Sequence, residues 1–124
     1  DDLAIADGNG AANGVYIYLG SGAGLTGPSA IPVGYDQDAV IAADIDGNGY
    51  DDMICSHRGD SLISISYAIA AGLQGPASFA AGSEPTQLAA GDINGDGIED
   101  IACSVRTDNQ VRIWEGVSGG GVIP

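Results

Sequence analysis

Three short stretches alternate between β-branched residues and polar or aromatic ones: Val15-Tyr16-Ile17-Tyr18, Ile63-Ser64-Ile65-Ser66 and Val111-Arg112-Ile113-Trp114. A period of two places the Val and Ile side chains on one face, the pattern of a β-strand. Ahead of each stretch lies a second apolar run: Asp2-Leu3-Ala4-Ile5-Ala6, Asp52-Met53-Ile54-Cys55-Ser56 and Asp100-Ile101-Ala102-Cys103-Ser104. Polar segments separate the two runs, at Asp7 to Gly14, His57 to Ser61 and Arg106 to Asn109, and predict hairpin turns. Small-residue strands are expected earlier still, at Ala39–Ala43 and Gln87–Gly91, and a fourth strand at segments containing Ile31 or Phe79. No long amphipathic helical pattern interrupts the series.

The strands recur with one spacing. Asp44 and Asp92, Asp52 and Asp100, and Cys55 and Cys103 are each 48 residues apart, as are successive members of Val15, Ile63, Val111 and of Gly20, Ala68, Gly116. Gly24-Leu25-Thr26-Gly27-Pro28 returns as Gly72-Leu73-Gln74-Gly75-Pro76. Asp2 precedes Asp52 by 50, a slip explained by two extra residues in the Gly8 to Gly14 turn. Four antiparallel strands in a period of this size predict β-propeller blades, and so an all-β fold. The expected divisions are an incomplete first blade over 1–34, a complete one over 38–82 and an incomplete last one over 86–124, ten strands in all. About two and a half blades would leave apolar faces and strand edges open. The expectation is therefore part of a larger ring, completed by further blades of the same chain or by other copies.

Between the first and second strand of a unit lies the stretch with the most chemistry. It reads Asp44-Ile45-Asp46-Gly47-Asn48-Gly49-Tyr50-Asp51-Asp52 and again Asp92-Ile93-Asn94-Gly95-Asp96-Gly97-Ile98-Glu99-Asp100. Oxygen-bearing side chains stand at positions 1, 3, 5 and 9, and glycines at 4 and 6 let the backbone curl so that successive oxygens point inward. The carbonyl at position 7, from Tyr50 or Ile98, can join them. Oxygen-only ligation suits a hard cation, calcium first. Asp1-Asp2 reads as the tail of a third, truncated loop. An EF-hand or dockerin-like loop needs an acid at position 12, which here is Cys55 or Cys103, and flanking helices that the strand pattern denies. A nonapeptide calcium β-roll needs a nine-residue period that is absent.

Charge sharpens this picture. The 124 residues carry 17 acids, three arginines and no lysine, a formal net charge of −14. Most of the acids sit in or beside the loops, among them Asp51 and Glu99, where a cation would neutralise them. No basic patch exists to displace counterions from nucleic acid, and no apolar run has the length of a membrane-spanning helix.

The pattern Asp-x-Asp/Asn-Gly-Asp/Asn-Gly-x-x-Asp-apolar, preceded by a small-residue strand, resembles the FG-GAP (VCBS-like) repeats of integrin α-subunit propellers and their bacterial and fungal relatives. Phe79 and Gly82 are the remnant of the pair that names the repeat. The resemblance implies calcium held for structural support by Asp44, Asp46, Asn48, Tyr50 (carbonyl) and Asp52, and by Asp92, Asn94, Asp96, Ile98 (carbonyl) and Asp100. It also implies a non-catalytic binding or adhesion module outside the cell, where calcium sites of ~10⁻⁴–10⁻³ M can fill. Alternatives within it are a lectin-like carbohydrate binder, an accessory domain of a secreted polysaccharide-degrading enzyme, and a structural surface or filament subunit.

Other residues carry weaker signals. Cys55 and Cys103 read as small buried hydrophobes, since equivalent positions of neighbouring blades stand too far apart for a disulfide. Arg58-Gly59-Asp60 spells an integrin-recognised tripeptide in a polar turn, although Thr107-Asp108-Asn109 lacks it. Ser56-His57 has no third group to make a triad, and His57 reads as an exposed or partly buried turn residue. Tyr16, Tyr18, Tyr35, Tyr67 and Trp114 read as filling between blades, with a sugar-stacking surface as the rival.

Overall fold

A computed structural model describes residues 2–7, 14–33 and 36–124. Asp1, the extra residues expected in the first hairpin and Tyr35 lie outside them.

The described residues contain thirteen strands and no helix. Three strands, β1 (Leu3–Asp7), β2 (Gly14–Ser21) and β3 (Gly24–Ile31), form the first antiparallel sheet in chain order. The middle sheet runs β4 (Gln37–Ala43), β5 (Asp52–His57), β6 (Leu62–Ser66) and β9 (Ala77–Ala80), and a small hairpin of β7 (Ala68–Ile69) and β8 (Gly72–Leu73) interrupts it. In the third sheet β10 (Pro85–Gly91), β11 (Asp100–Val105), β12 (Gln110–Gly116) and β13 (Val122–Ile123) follow one another. The fold is all-β, and its sheets are compatible with partial β-propeller blades.

Three strands exceed the ten expected: β7, β8 and β13. The pattern marks no fourth strand in the last unit, yet Val122 and Ile123 pair with Gly116 and Glu115. Two-residue strands carry no period, so alternation cannot reveal them.

The repeat extends to backbone detail. β4 begins with an irregularity between Gln37 and Ala39, and β10 with one between Pro85 and Leu88. Ser56 Oγ accepts from Ala39 N (3.1 Å) at the first, and Ser104 Oγ accepts from Gln87 N (3.1 Å) at the second. The hydroxyls thus satisfy amides that a bulge takes out of the ladder. Ser61 and Asn109, again 48 apart, both adopt a positive φ (57° and 49°) in the β5–β6 and β11–β12 turns.

Residues directly opposite across an antiparallel pair share a face. On one face of the middle sheet, Ile54 and Ile65 are paired, and both belong to a cluster with Ile63, Ile101, Cys103 and Trp114. On its other face, Met53 and Cys55 pack with Val15 and Val33 of the first unit. The middle sheet is therefore sandwiched, which explains why all six residues of β5 are buried. The alternation of β6 is a poor guide here, because Ser64 and Ser66 are as buried as Ile63 and Ile65.

Candidate metal centre

Both acidic loops join the first strand of a sheet to the second, β4 to β5 and β10 to β11. Paired glycines, Gly47 and Gly49 in one and Gly95 and Gly97 in the other, take positive φ between 69° and 88°, a region L side chains enter at a cost. The tight curl lets the position-1 carboxylate collect amides from its own loop. Asp44 accepts from Asn48 N (3.0 Å) and Gly49 N (2.8 Å). Asp92 accepts from Gly95 N (2.6 Å), Asp96 N (3.1 Å) and Gly97 N (3.0 Å). At position 5, Asn48 Oδ1 accepts from Tyr50 N and Asp96 Oδ1 from Ile98 N.

The ninth residue works differently. Asp52 and Asp100 have no exposed surface. Asp52 Oδ2 accepts from Ile45 N (3.2 Å) and its Oδ1 from Ala68 N (2.7 Å). Asp100 repeats the pattern: Oδ2 accepts from Ile93 N (2.8 Å) and Asn94 N (3.2 Å), and Oδ1 from Gly116 N (2.9 Å). Each carboxylate thus ties the start of its loop to the chain beside the end of the sheet's third strand. Burial pushes the Asp52 carboxyl above the usual carboxylate range, and the charges of Asp46 and Asp44 push the same way; the Ala68 and Ile45 amides oppose them.

In the first loop, Asp44, Asp46 and Asp52 each bring an oxygen within 4.8 Å of the others. Asn48, at position 5, donates from Nδ2 to Asp46 Oδ2 (3.0 Å) and to Ala68 O (2.8 Å), which leaves its amide beside the cluster. Three converging carboxylates in a half-buried, oxygen-lined curl form a donor set that fits a hard divalent cation. Among the ligand positions of the second loop the carboxylates stand at 1, 5 and 9, because Asn94 stands where the first loop has Asp46 and Asp96 where it has Asn48. Asn94 Nδ2 donates to Asp96 Oδ2 (3.0 Å), so positions 3 and 5 are in contact there as well.

One residue without a ligand position links the two loops. Glu99 Oε2 accepts from Asp44 N (3.0 Å), reaching from position 8 of the second loop to position 1 of the first. Ile45 O and Asp46 O also accept from Val117 N and Gly119 N, both at 3.1 Å. A Cβ on Gly116 would run into the carbonyl oxygens of Glu99 and Ile45, so the first loop lies directly against the third sheet. No periodicity points to Glu99: its counterpart Asp51 is exposed.

The remaining sequence candidates disperse. His57 is buried in β5, not a turn residue, and its Nε2 lies 2.7 Å from Ser64 Oγ rather than against Ser56. Ser56 Oγ donates to Thr86 O (2.9 Å), joining the middle sheet to the third. Cys55 and Cys103 are buried free thiols in different clusters, Cys55 on the face of the middle sheet toward the first and Cys103 on the face of the third sheet toward the middle one. Burial pushes the Cys55 thiol up to about 12 and raises Cys103 as well. Trp114 is enclosed in the core and offers no platform for stacking. Arg58, Gly59 and Asp60 are exposed in the β5–β6 turn, where Arg58 Nε lies 3.7 Å from Asp38 Oδ2.

Residues 85–122, spanning the third sheet and its loop, match the family model of the FG-GAP repeat. No curated protein and no solved structure matches the chain.

Proposed function

We propose that this chain, which carries an FG-GAP repeat over residues 85–122, is a calcium-stabilised segment of an extracellular or cell-surface β-propeller. It serves as a non-catalytic binding or adhesion module. Its blades are taken as 1–34, 38–82 and 86–124. The reading rests most on one observation, the convergence of Asp44, Asp46 and Asp52 in a loop that closes the first two strands of a sheet. Asp44, Asp46, Asn48, the Tyr50 carbonyl and Asp52 hold one calcium ion. Asp92, Asn94, Asp96, the Ile98 carbonyl and Asp100 hold a second. The ions act as staples that offset mutual repulsion of the carboxylates, so binding free energy becomes folding free energy.

Isothermal titration of the chelator-treated chain with calcium is expected to report two sites. Thermal melts are expected to rise with calcium, by about 2.7 kcal/mol of stability for each site at a hundredfold excess over its Kd. Identical melting in calcium and in chelator would refute the reading. Binding to a protein or carbohydrate ligand is tested by surface capture on extracellular-matrix proteins and a glycan array, each with calcium and with chelator; calcium-dependent retention is the expected result.

A further inference from the structure

Three consecutive residues of the second loop reach the first. Glu99 stands between Ile98 and Asp100, at positions 7 and 9. Its carboxylate turns away from its own loop and accepts from Asp44 N (3.0 Å), the amide of position 1 in the other. The Ile98 side chain crosses in the same direction: a Cβ on Gly47, at position 4 of the first loop, would stand 3.6 Å from Ile98 Cγ1. Asp100 makes the third link. Its Oδ1 accepts from Gly116 N (2.9 Å), and just beyond, Val117 N and Gly119 N donate to Ile45 O and Asp46 O at 3.1 Å.

Residues 98–100 therefore belong to both loops. In the second loop Ile98 offers a backbone carbonyl and Asp100 a carboxylate, the two donors on either side of Glu99. Toward the first loop the same residues fix the amide of Asp44, cover Gly47 and hold the segment that bonds Ile45 and Asp46. Closing either loop around a cation requires these shared residues to be ordered, at a cost in conformational entropy. Once one loop has met that cost, the other closes around residues already in place.

We infer that Ile98, Glu99 and Asp100 position the first loop as well as serving the second, so that the two loops take up calcium cooperatively. The inference rests on the metal reading above and adds to it the regulation of its sites. The coupling is reciprocal: filling either loop raises the affinity of the other by the same factor, about fivefold, the low end for coupled sites. Its sign is diagnostic. An empty neighbouring loop attracts a cation with uncompensated carboxylates and a filled one attracts less, so charge alone would weaken the second uptake.

The test is calorimetric titration of the full 124-residue chain with calcium at about 0.15 M salt, beside three variants. Asp92→Ala disables the second loop and Asp46→Ala the first. Ile98→Ala combined with Glu99→Ala cuts two of the links while leaving every ligand of both loops in place. The parent is expected to take up its second ion more tightly than its first. Each single variant is expected to bind one ion, about fivefold more weakly than the same loop does beside a filled neighbour. The double variant is expected to show a smaller coupling than the parent. Hydrogen exchange supplies a readout that needs no ion in the first loop: in Asp46→Ala, calcium is expected to slow exchange of the Asp44 and Val117 amides. Independent or weakened second uptake by the parent, undiminished coupling in the double variant, or amides that ignore calcium in Asp46→Ala would overturn the coupling and leave the metal reading intact. A parent that takes up no calcium would remove both.

Discussion

Asp92 and Asp100 stand at the two ends of one loop and share a ligand role in the proposed function, yet their burial separates them. Replacing either by Asn removes a carboxylate from the proposed second site. Only Asp100→Asn also breaks a buried anchor. The Asp100 carboxylate accepts three amides, from Ile93, Asn94 and Gly116, with its two oxygens facing opposite ways. An Asn side chain has one acceptor oxygen, so its amide nitrogen must face amide hydrogens on one side. At least one buried donor loses its partner, at about 1–3 kcal/mol, and the surviving bonds lose the strengthening of an ionised acceptor. The total comes to about 2–4 kcal/mol. At Asp92 the donors Gly95, Asp96 and Gly97 are exposed and turn to water, so the anchor cost is below about 1 kcal/mol. For a domain of this size, about 2 kcal/mol of difference corresponds to some 6–10 °C. Thermal melts of the two variants in saturating calcium, where the first loop remains filled, should therefore place Asp100→Asn about that far below Asp92→Asn. Equal melting temperatures would refute the anchor role of the ninth residue, since both variants forfeit the same ligation.

Two further outcomes follow from named contacts. Glu99→Ala removes the acceptor of Asp44 N, a half-buried charge-assisted bond worth about 1 kcal/mol, and should weaken calcium at the first loop about fivefold by calorimetry; Asp51→Ala, at the matching exposed position, should leave the second loop unchanged. Cys55 keeps its proton in the folded chain up to about 12, whereas the unfolded thiol ionises near its ordinary value of 9.0. The unfolded state then binds fewer protons, so stability falls as pH rises through this window, by up to about 1.4 kcal/mol per pH unit relative to Cys55→Ala. Denaturant titrations of both proteins at pH 8 and pH 10.5 check it, and parallel curves would contradict the burial of the thiol.

The strand content and the position of both acidic loops were legible in the chain because they depend on local chemistry. Period-two alternation marks β2, β6 and β12, and the Asp-x-Asp/Asn-Gly-Asp/Asn-Gly spacing marks loops that only glycine lets curl so tightly. The 48-residue phase also carried the equivalence of Asp52 with Asp100 and of Ser56 with Ser104. What each equivalent residue does was settled by its neighbours in space. Val15, Ile63 and Val111 share one phase, but two are fully buried and the third is mostly exposed, because a sheet's burial depends on what is stacked upon it. His57 follows a serine in a segment that reads as a turn, and becomes a core residue only because β5 lies between two sheets. Glu99 reads as one acid among seventeen, and its bond to Asp44 spans 55 residues of chain. Local pattern determines which segments become strands and which loops can gather oxygens. Contacts between distant repeats decide which faces are closed and how the two loops touch.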